Sequence, residues 1–261
     1  MQNVKFKMIG LVAAMSIVVT SLTACKPRNE PVHDETAPKV ESVAKSIPTV
    51  EAKVVVMDLP KPEVCDAEGC TQYSIQTVKT NIDWIDQYFN DRIKKADPLA
   101  FSTEPNQKIA LNEDSNAGLS QSTTSVRYLS QFGNIATFAI DSYTYSAGAA
   151  HGMYHIEYVN FDLNAKQRLS LKDVIAKGKD AEVLNELYEA NSSWLENHVI
   201  EKSKFQLSDN FYYGANGIVF VYPLYELASY AEGMSELTLP YRSAKNLFRA
   251  EYLPSLPNYE K

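Results

Sequence analysis

Three stretches in the middle of the chain alternate apolar and polar residues with a period of two: "TSVRYLSQ" (124–131), "NIATFAIDSYTY" (134–145) and "YHIEYVNFDL" (154–163). Successive side chains of a strand point to opposite faces, so this alternation specifies strands that bury one face. Turn formers separate them. Gly133-Asn134 stands between the first two, "SAGAAHGM" (146–153) between the second and third, and "AKQR" (165–168) follows the third. Short connections of this kind join antiparallel neighbours. The last third repeats the pattern, with "NFYY" and "IVFVY" around a turn at 214–217, then "SELTLPY" (235–241).

A period nearer 3.6 marks the helices. In "TVKTNIDWIDQYFNDRIKK" (77–95), Val78, Ile82, Ile85, Phe89 and Ile93 recur at spacings of three and four. They predict a helix of about five turns that ends at Asp97-Pro98, followed by a polar loop over 98–125. Ser170 with Asp173 three residues later predicts a capped helix start. "DAEVLNELYEANSSWLENHVIEKS" (180–203) predicts a second amphipathic helix whose apolar stripe includes Val183, Leu187, Leu195, His198 and Val199. His198 on that stripe is expected to be a half-buried core histidine. "LYELASYAEG" (224–233) reads as a short helical turn closed by Gly233, and "RSAKNLF" as a short closing helix. The expected class is α+β: an antiparallel sheet of several strands with two main helices packed on one face.

The first residues belong to export. Lys5 and Lys7 precede an apolar run from Met8 to Ser21, shorter than the ~20 residues of a spanning helix. The run leads into "LTAC", which resembles a bacterial lipobox. That resemblance implies removal of residues 1–24 and acylation of Cys25 with palmitate-like chains, a stable anchor when two or more are present. Lys26, where an inner-membrane retention signal has Asp, points to the outer membrane, facing the periplasm. Residues 25–62, rich in Pro, Glu, Lys and Val, read as a flexible tether. Within it "AKVVVMDL" (52–59) reads either as a first strand or as an apolar part of the tether. The folded part is expected from residue 63.

Cys65 and Cys70 in "CDAEGC" read as a disulfide clip in an exported protein. The loop between them offers no further His or Cys for a metal. The formal net charge is −7, and loss of Lys5 and Lys7 makes it more negative. Such a domain does not neutralise phosphates and is not expected to bind nucleic acid, but it attracts cationic partners. Sixteen tyrosines suit either strand positions or a face that is both apolar and hydrogen-bonding.

Motifs for chemistry are sparse. His151 and His155 on one strand would lie about 13 Å apart, too far for one zinc ion, whose nitrogens each approach to about 2.1 Å. No G-x-S-x-G elbow is present. Glu226 and Glu232 fall on a short helical segment, where a solvated face explains them. No cofactor, metal or catalytic residue is expected, and the chain reads as a non-enzyme.

Two blocks carry a resemblance. "SYTYSAGAAHGMYHIEYVNFDLNAKQRLSLKDVI" and "GIVFVYPLYELASYAEGMSELTLPY" resemble the RsiV-like extracytoplasmic domain of lysozyme-sensing anti-sigma factors, found also beside the catalytic domain of PdaC-type peptidoglycan deacetylases. Gly148, Ala150, His151 and Gly152 match its Gly-Gly-Ala-His-Gly turn, with Ala149 replacing the second glycine. Asn160, Phe161, Asp162 and Leu163 match the next strand, and Leu171, Lys172 and Asp173 the helix start. Phe220, Pro223, Tyr225, Glu226, Leu227, Ala228, Tyr230, Ala231 and Gly233 match the second block, although Pro223-Leu224 stands where the family more often has Asn-Pro. The resemblance covers about residues 70–248 and divides the folded part into a PdaC-like portion (63–135) and an RsiV-like portion (136–248). It implies that His151 locks the turn, and it nominates Tyr143, Tyr145, His151, Gly152, Tyr154, Tyr225, Glu226 and Tyr230 as a binding surface. The implied function is that of a non-catalytic envelope lipoprotein holding a basic protein such as lysozyme, or a peptidoglycan fragment. The alternative is a peptidoglycan-modifying enzyme or its accessory module.

Overall fold

A computed structural model describes residues 47–66, 69–104 and 118–254. The expected leader, Cys25 and the part of the expected tether up to residue 46 lie outside the described residues, as does much of the polar stretch expected over 98–125. Fifteen regular elements follow in order: β1 (Ala52–Val56), β2 (Glu63–Asp66), β3 (Gly69–Thr80), α1 (Asp83–Ala96), β4 (Gly118–Phe132), β5 (Ile135–Tyr145), β6 (Met153–Asp162), β7 (Gln167–Leu169), α2 (Leu171–Val174), α3 (Asp180–Ala190), α4 (Ser192–Asn197), β8 (Phe211–Tyr213), β9 (Gly217–Tyr222), β10 (Ser235–Pro240) and α5 (Tyr241–Ala244). The class is α+β. A seven-stranded sheet runs β1-β3-β4-β5-β6-β7 with β2 also on β3, and a three-stranded sheet runs β10-β9-β8.

The alternation along β5 explains the layering. Ala136, Phe138 and Ile140 enter a core with Ile85, Phe89 and Ile93 of α1. Their neighbours Ile135 and Ala139 point the other way, into clusters shared with the second sheet. Strand β9 alternates likewise: Val219 and Val221 meet Ala139 and Tyr158, whereas Ile218, Phe220 and Tyr222 meet Val183 and Leu187 of α3. The two main helices therefore pack in different cores and do not share one face of one sheet, as the sequence pattern had suggested. On the α1 side, Trp84, Tyr88, Phe89 and Phe138 surround Phe161, mostly edge to face at 5.0–5.7 Å, a favoured arrangement for aromatic quadrupoles.

Several boundaries differ from the sequence expectation. Residues 77–80, expected to begin the first helix, finish β3, where Val78 is buried opposite Val54. Asp86 of α1 accepts from the Thr80 amide and hydroxyl, both at 2.7 Å, and the Thr80 hydroxyl also accepts from the Ile82 amide at 3.0 Å. These bonds end the strand and let the helix start at Asp83. β4 begins at Gly118, earlier than expected, and pairs parallel with β3. The crossover that parallel pairing needs contains α1. β1 pairs with β3 over Ala52–Val56, and Val50 just before it is buried. The strand reading of 52–59 thus holds, and the folded part starts before residue 63.

The division at 135/136 falls inside β5, one residue after its start, and β5 pairs antiparallel with β4 in one sheet, so the two portions are not separate structural units. The expected helix over 180–203 breaks into α3 and α4 at Asn191. Its side-chain Nδ2 donates to Leu187 O at 2.7 Å and Thr238 O at 3.1 Å, while its backbone N–H turns to Tyr188 O, three residues back. Val199 lies off the apolar stripe, 83% exposed, with φ 57°.

A buried polar chain joins the two sheets. The Thr137 hydroxyl donates to Asn160 Oδ1 at 2.8 Å, and Asn160 Nδ2 donates to Phe211 O at 2.7 Å. Asn210 completes the join: its Oδ1 accepts from the Tyr158 amide and its Nδ2 donates to Ile156 O, each at 2.7 Å.

Candidate functional site

The β5–β6 hairpin positions the first half of the site. Tyr143 lies directly opposite Tyr154, and Ser142 opposite His155. Strand alternation puts Tyr143 and Tyr154 on the face shared with the second sheet and His155 on the other, so His151 and His155 do not converge. At the hairpin end Gly148 has φ 80°, a backbone conformation that glycine adopts without strain. Gly152 serves a different need. It is buried, and a Cβ there would run into the Tyr143 ring.

The 223–233 segment supplies the second half. Its regular helical part is a single 3₁₀ turn, Tyr230–Glu232, opened by a capping box at Ser229. The His151 ring stacks on Tyr230 with centroids 4.0 Å apart. Tyr225 leans on the other side of the group, 5.7 Å from Tyr230, with Tyr154 edge-on at 6.4 Å. Gly152 O lies 3.0 Å from His151 Nδ1 and accepts from the Tyr230 hydroxyl at 2.9 Å. A carbonyl can only accept, so Nδ1 carries the proton and Nε2 is free to accept from the Tyr225 hydroxyl at 3.3 Å. His151 therefore locks its turn and also braces Tyr225.

Five of the nominated side chains, Tyr143, His151, Tyr154, Tyr225 and Tyr230, thus form one patch with Gly152 beneath them. Tyr145, two residues further along β5 and opposite Gln121 of β4, makes no ring contact or hydrogen bond with the group. Glu226 faces a separate groove lined by Val199, Phe205, Tyr222 and Leu227, where partial burial pushes its carboxyl above the ordinary value. Tyr225 combines 55% exposure with φ 68°. Nothing in the residue pattern announces that backbone state.

Sequence reasoning also missed the brace behind the patch. His198, at the end of α4, stacks on Trp194 at 3.8 Å. Its Nδ1 lies 2.8 Å from Trp194 O and its Nε2 2.6 Å from a Glu232 carboxylate oxygen. Both neighbours are acceptors, so the imidazolium satisfies both nitrogens. Accordingly the carboxylate beside it holds His198 above its ordinary pKa, and His198 together with Ser229 holds Glu232 below its own. The Trp-x-x-x-His spacing on one helix face was a visible signal. Its partner, 34 residues away, was not.

The cysteine clip closes the β2–β3 hairpin as expected, with Cys65 bonded to Cys70. Glu63, Cys65 and Cys70 are the single metal-like grouping among the described residues. Two of its three ligand atoms are sulfurs already joined to each other and unable to act as thiolates.

Residues 162–242 match the family described as "Protein of unknown function (DUF3298)". This stretch runs from the last residue of β6 into α5, so it contains Tyr225, Glu226 and Tyr230 and leaves out Tyr143, His151 and Tyr154. No curated protein matches the chain. Among solved structures, a DUF3298 family protein from Pseudomonas aeruginosa PAO1 superposes with a TM-score of 0.58 at 19% identity, covering 80% of this chain and 99% of its own. A DUF3298 member from Bacteroides fragilis gives 0.54 at 16%, covering 79% and 96%. At such identities the likeness is one of fold.

Proposed function

We propose that this chain is a non-catalytic envelope lipoprotein, anchored through Cys25, whose tyrosine–histidine patch holds a basic protein of the lysozyme type. The observation that carries this reading is Tyr225. A non-glycine residue in a sparsely populated backbone region costs about 1–3 kcal/mol, and here the cost is borne by a residue whose aromatic ring is more exposed than not. His151 contacts its hydroxyl at 3.3 Å and the Tyr230 ring lies 5.7 Å from its centroid, while the residue stays 55% exposed. Rigid, half-open tyrosines are common anchors of protein interfaces. The net charge of −7 favours a cationic partner through steering, and the RsiV-like motif residues Tyr225 and Tyr230 lie in the patch. A peptidoglycan fragment is the second reading, favoured by the exposure of Tyr225, since sugars stack on exposed aromatic rings.

The test is binding of the full-length chain to lysozyme and, separately, to soluble peptidoglycan fragments at low salt. Lysozyme is expected to bind, and Tyr225→Ala to weaken it roughly thirtyfold, as loss of one interface anchor does. If wild-type protein retains no lysozyme, the basic-protein reading fails. Retention of the fragments alone would establish the glycan reading in its place.

A further inference from the structure

The 223–227 turn has two sides. Tyr225 serves the patch, whereas Glu226 and Leu227 line a groove of about 240 Å³ against the 199–206 segment and Tyr222 of β9. The floor is apolar and rigid, because Phe205 and Tyr222 are both core residues and the Tyr222 hydroxyl is tied to Gln206 O at 2.9 Å. Val199 on the rim is 83% exposed at φ 57°. For a β-branched residue that is a true backbone outlier, and it holds an apolar side chain out in solvent. Val199 lines the groove, whereas Tyr225, the other strained non-glycine residue of this region, belongs to the patch.

The polar content of the groove is lopsided. Lys204 is engaged by Glu201 at 3.0 Å. The Glu226 carboxylate makes no hydrogen bond or ion pair among the described residues, although Lys204 lines the same groove. A groove with an apolar floor, whose charged residues are two carboxylates, Glu201 and Glu226, against the single ammonium of Lys204, complements a cation carried on an aliphatic stem, since lysine and arginine pack their methylenes on apolar surface while the charged head seeks an acceptor. At about 240 Å³ the groove is smaller than the roughly 300–1,000 Å³ of small-molecule sites, a size that suits one long side chain.

Resting on the basic-protein reading above, we infer that the groove between 199–206 and 222–227 receives a single lysine or arginine side chain of the partner, with Glu226 as its counter-ion. The patch and the groove then form one footprint, in which Tyr225 supplies the aromatic anchor and Glu226 the charged socket.

The experiment compares lysozyme binding by the full-length wild type, Glu226→Gln and Glu226→Lys, with thermal unfolding of each. Glu226→Gln keeps the shape and removes the charge. Its affinity is expected to fall about tenfold, the size of one charge-assisted hydrogen bond, with the unfolding midpoint unchanged. Glu226→Lys is expected to lose more than Glu226→Gln. Wild-type affinity in Glu226→Gln would overturn the socket while leaving the Tyr225 reading intact. So would a lowered midpoint in Glu226→Gln, by showing that the carboxylate serves the fold. Absence of lysozyme binding in the wild type would instead count against the basic-protein reading itself.

Discussion

Two glycines show how differently the same small change acts. A Cβ at Gly152 would meet the far end of the Tyr143 ring, whereas one at Gly217 would meet the backbone carbonyl of Leu239 on β10. An exposed tyrosine ring can swing aside, but a paired strand cannot. Gly217→Ala is therefore expected to destabilise the fold by about 1–3 kcal/mol, the usual range for overpacking. Gly152→Ala is expected to cost less than about 1 kcal/mol while displacing Tyr143 from the patch. Chemical denaturation of both variants checks the order, and equal losses would show that Tyr143 is fixed more firmly than its exposure suggests. The role of His151 in locking its turn was legible only through the family resemblance, because residue type and spacing by themselves name no partner for its ring. The strained backbone of Tyr225 was not legible, since nothing local distinguishes it from any other tyrosine in a turn.

Between elements, the contact that matters most for the site is the one from α4 to the 3₁₀ turn, His198 to Glu232. The pKa of His198 is raised above its ordinary 6.5, so its contribution is complete below about that pH and is lost as the pH climbs through the raised value. The pKa of Glu232 is lowered from 4.5, so its contribution is complete above about 4.5 and is lost as the pH falls through the lowered value. The link is accordingly strongest between about pH 4.5 and 6.5. The unfolding midpoint of wild type minus that of His198→Gln should be greatest inside that window and shrink on both sides. A difference that is flat with pH would mean that the histidine is held by stacking on Trp194 alone. Strand identity was well marked in the sequence for β5, β6, β9 and β10, where alternation reflects one-sided burial. It was poorly marked at the β3–α1 junction, because Val78 and Ile82 stand at a helical spacing although a strand end separates them. Such a junction is decided by Thr80 and Asp86, whose bonds are tertiary.

For the whole molecule, the stretch recognisable as DUF3298 and the unit that can fold are different lengths of chain. Residue 162 lies at the end of β6, where Asp162 faces Gln167 of β7, and the buried core of 162–242 includes Ile135 from outside it. A fragment of residues 162–242 is expected to stay unfolded or aggregate, whereas one beginning at residue 47 should give a cooperative transition. Circular dichroism of the two decides, and a folded short fragment would show that the three-stranded sheet is self-sufficient. Class and approximate strand count were visible from patterning; the second sheet was not, because which strands share a ladder depends on distant partners such as Asn210 and Asn160. The parallel ladder in which Gly69 faces Gly118 bears on how a newly made chain reaches this state. A ribosome releases β1, β2 and β3 long before β4, so one margin of β3 must wait, uncovered and adhesive, until the next fifty or so amino acids have emerged. Throughout that delay the bare margin is a template for any other unpaired strand it meets.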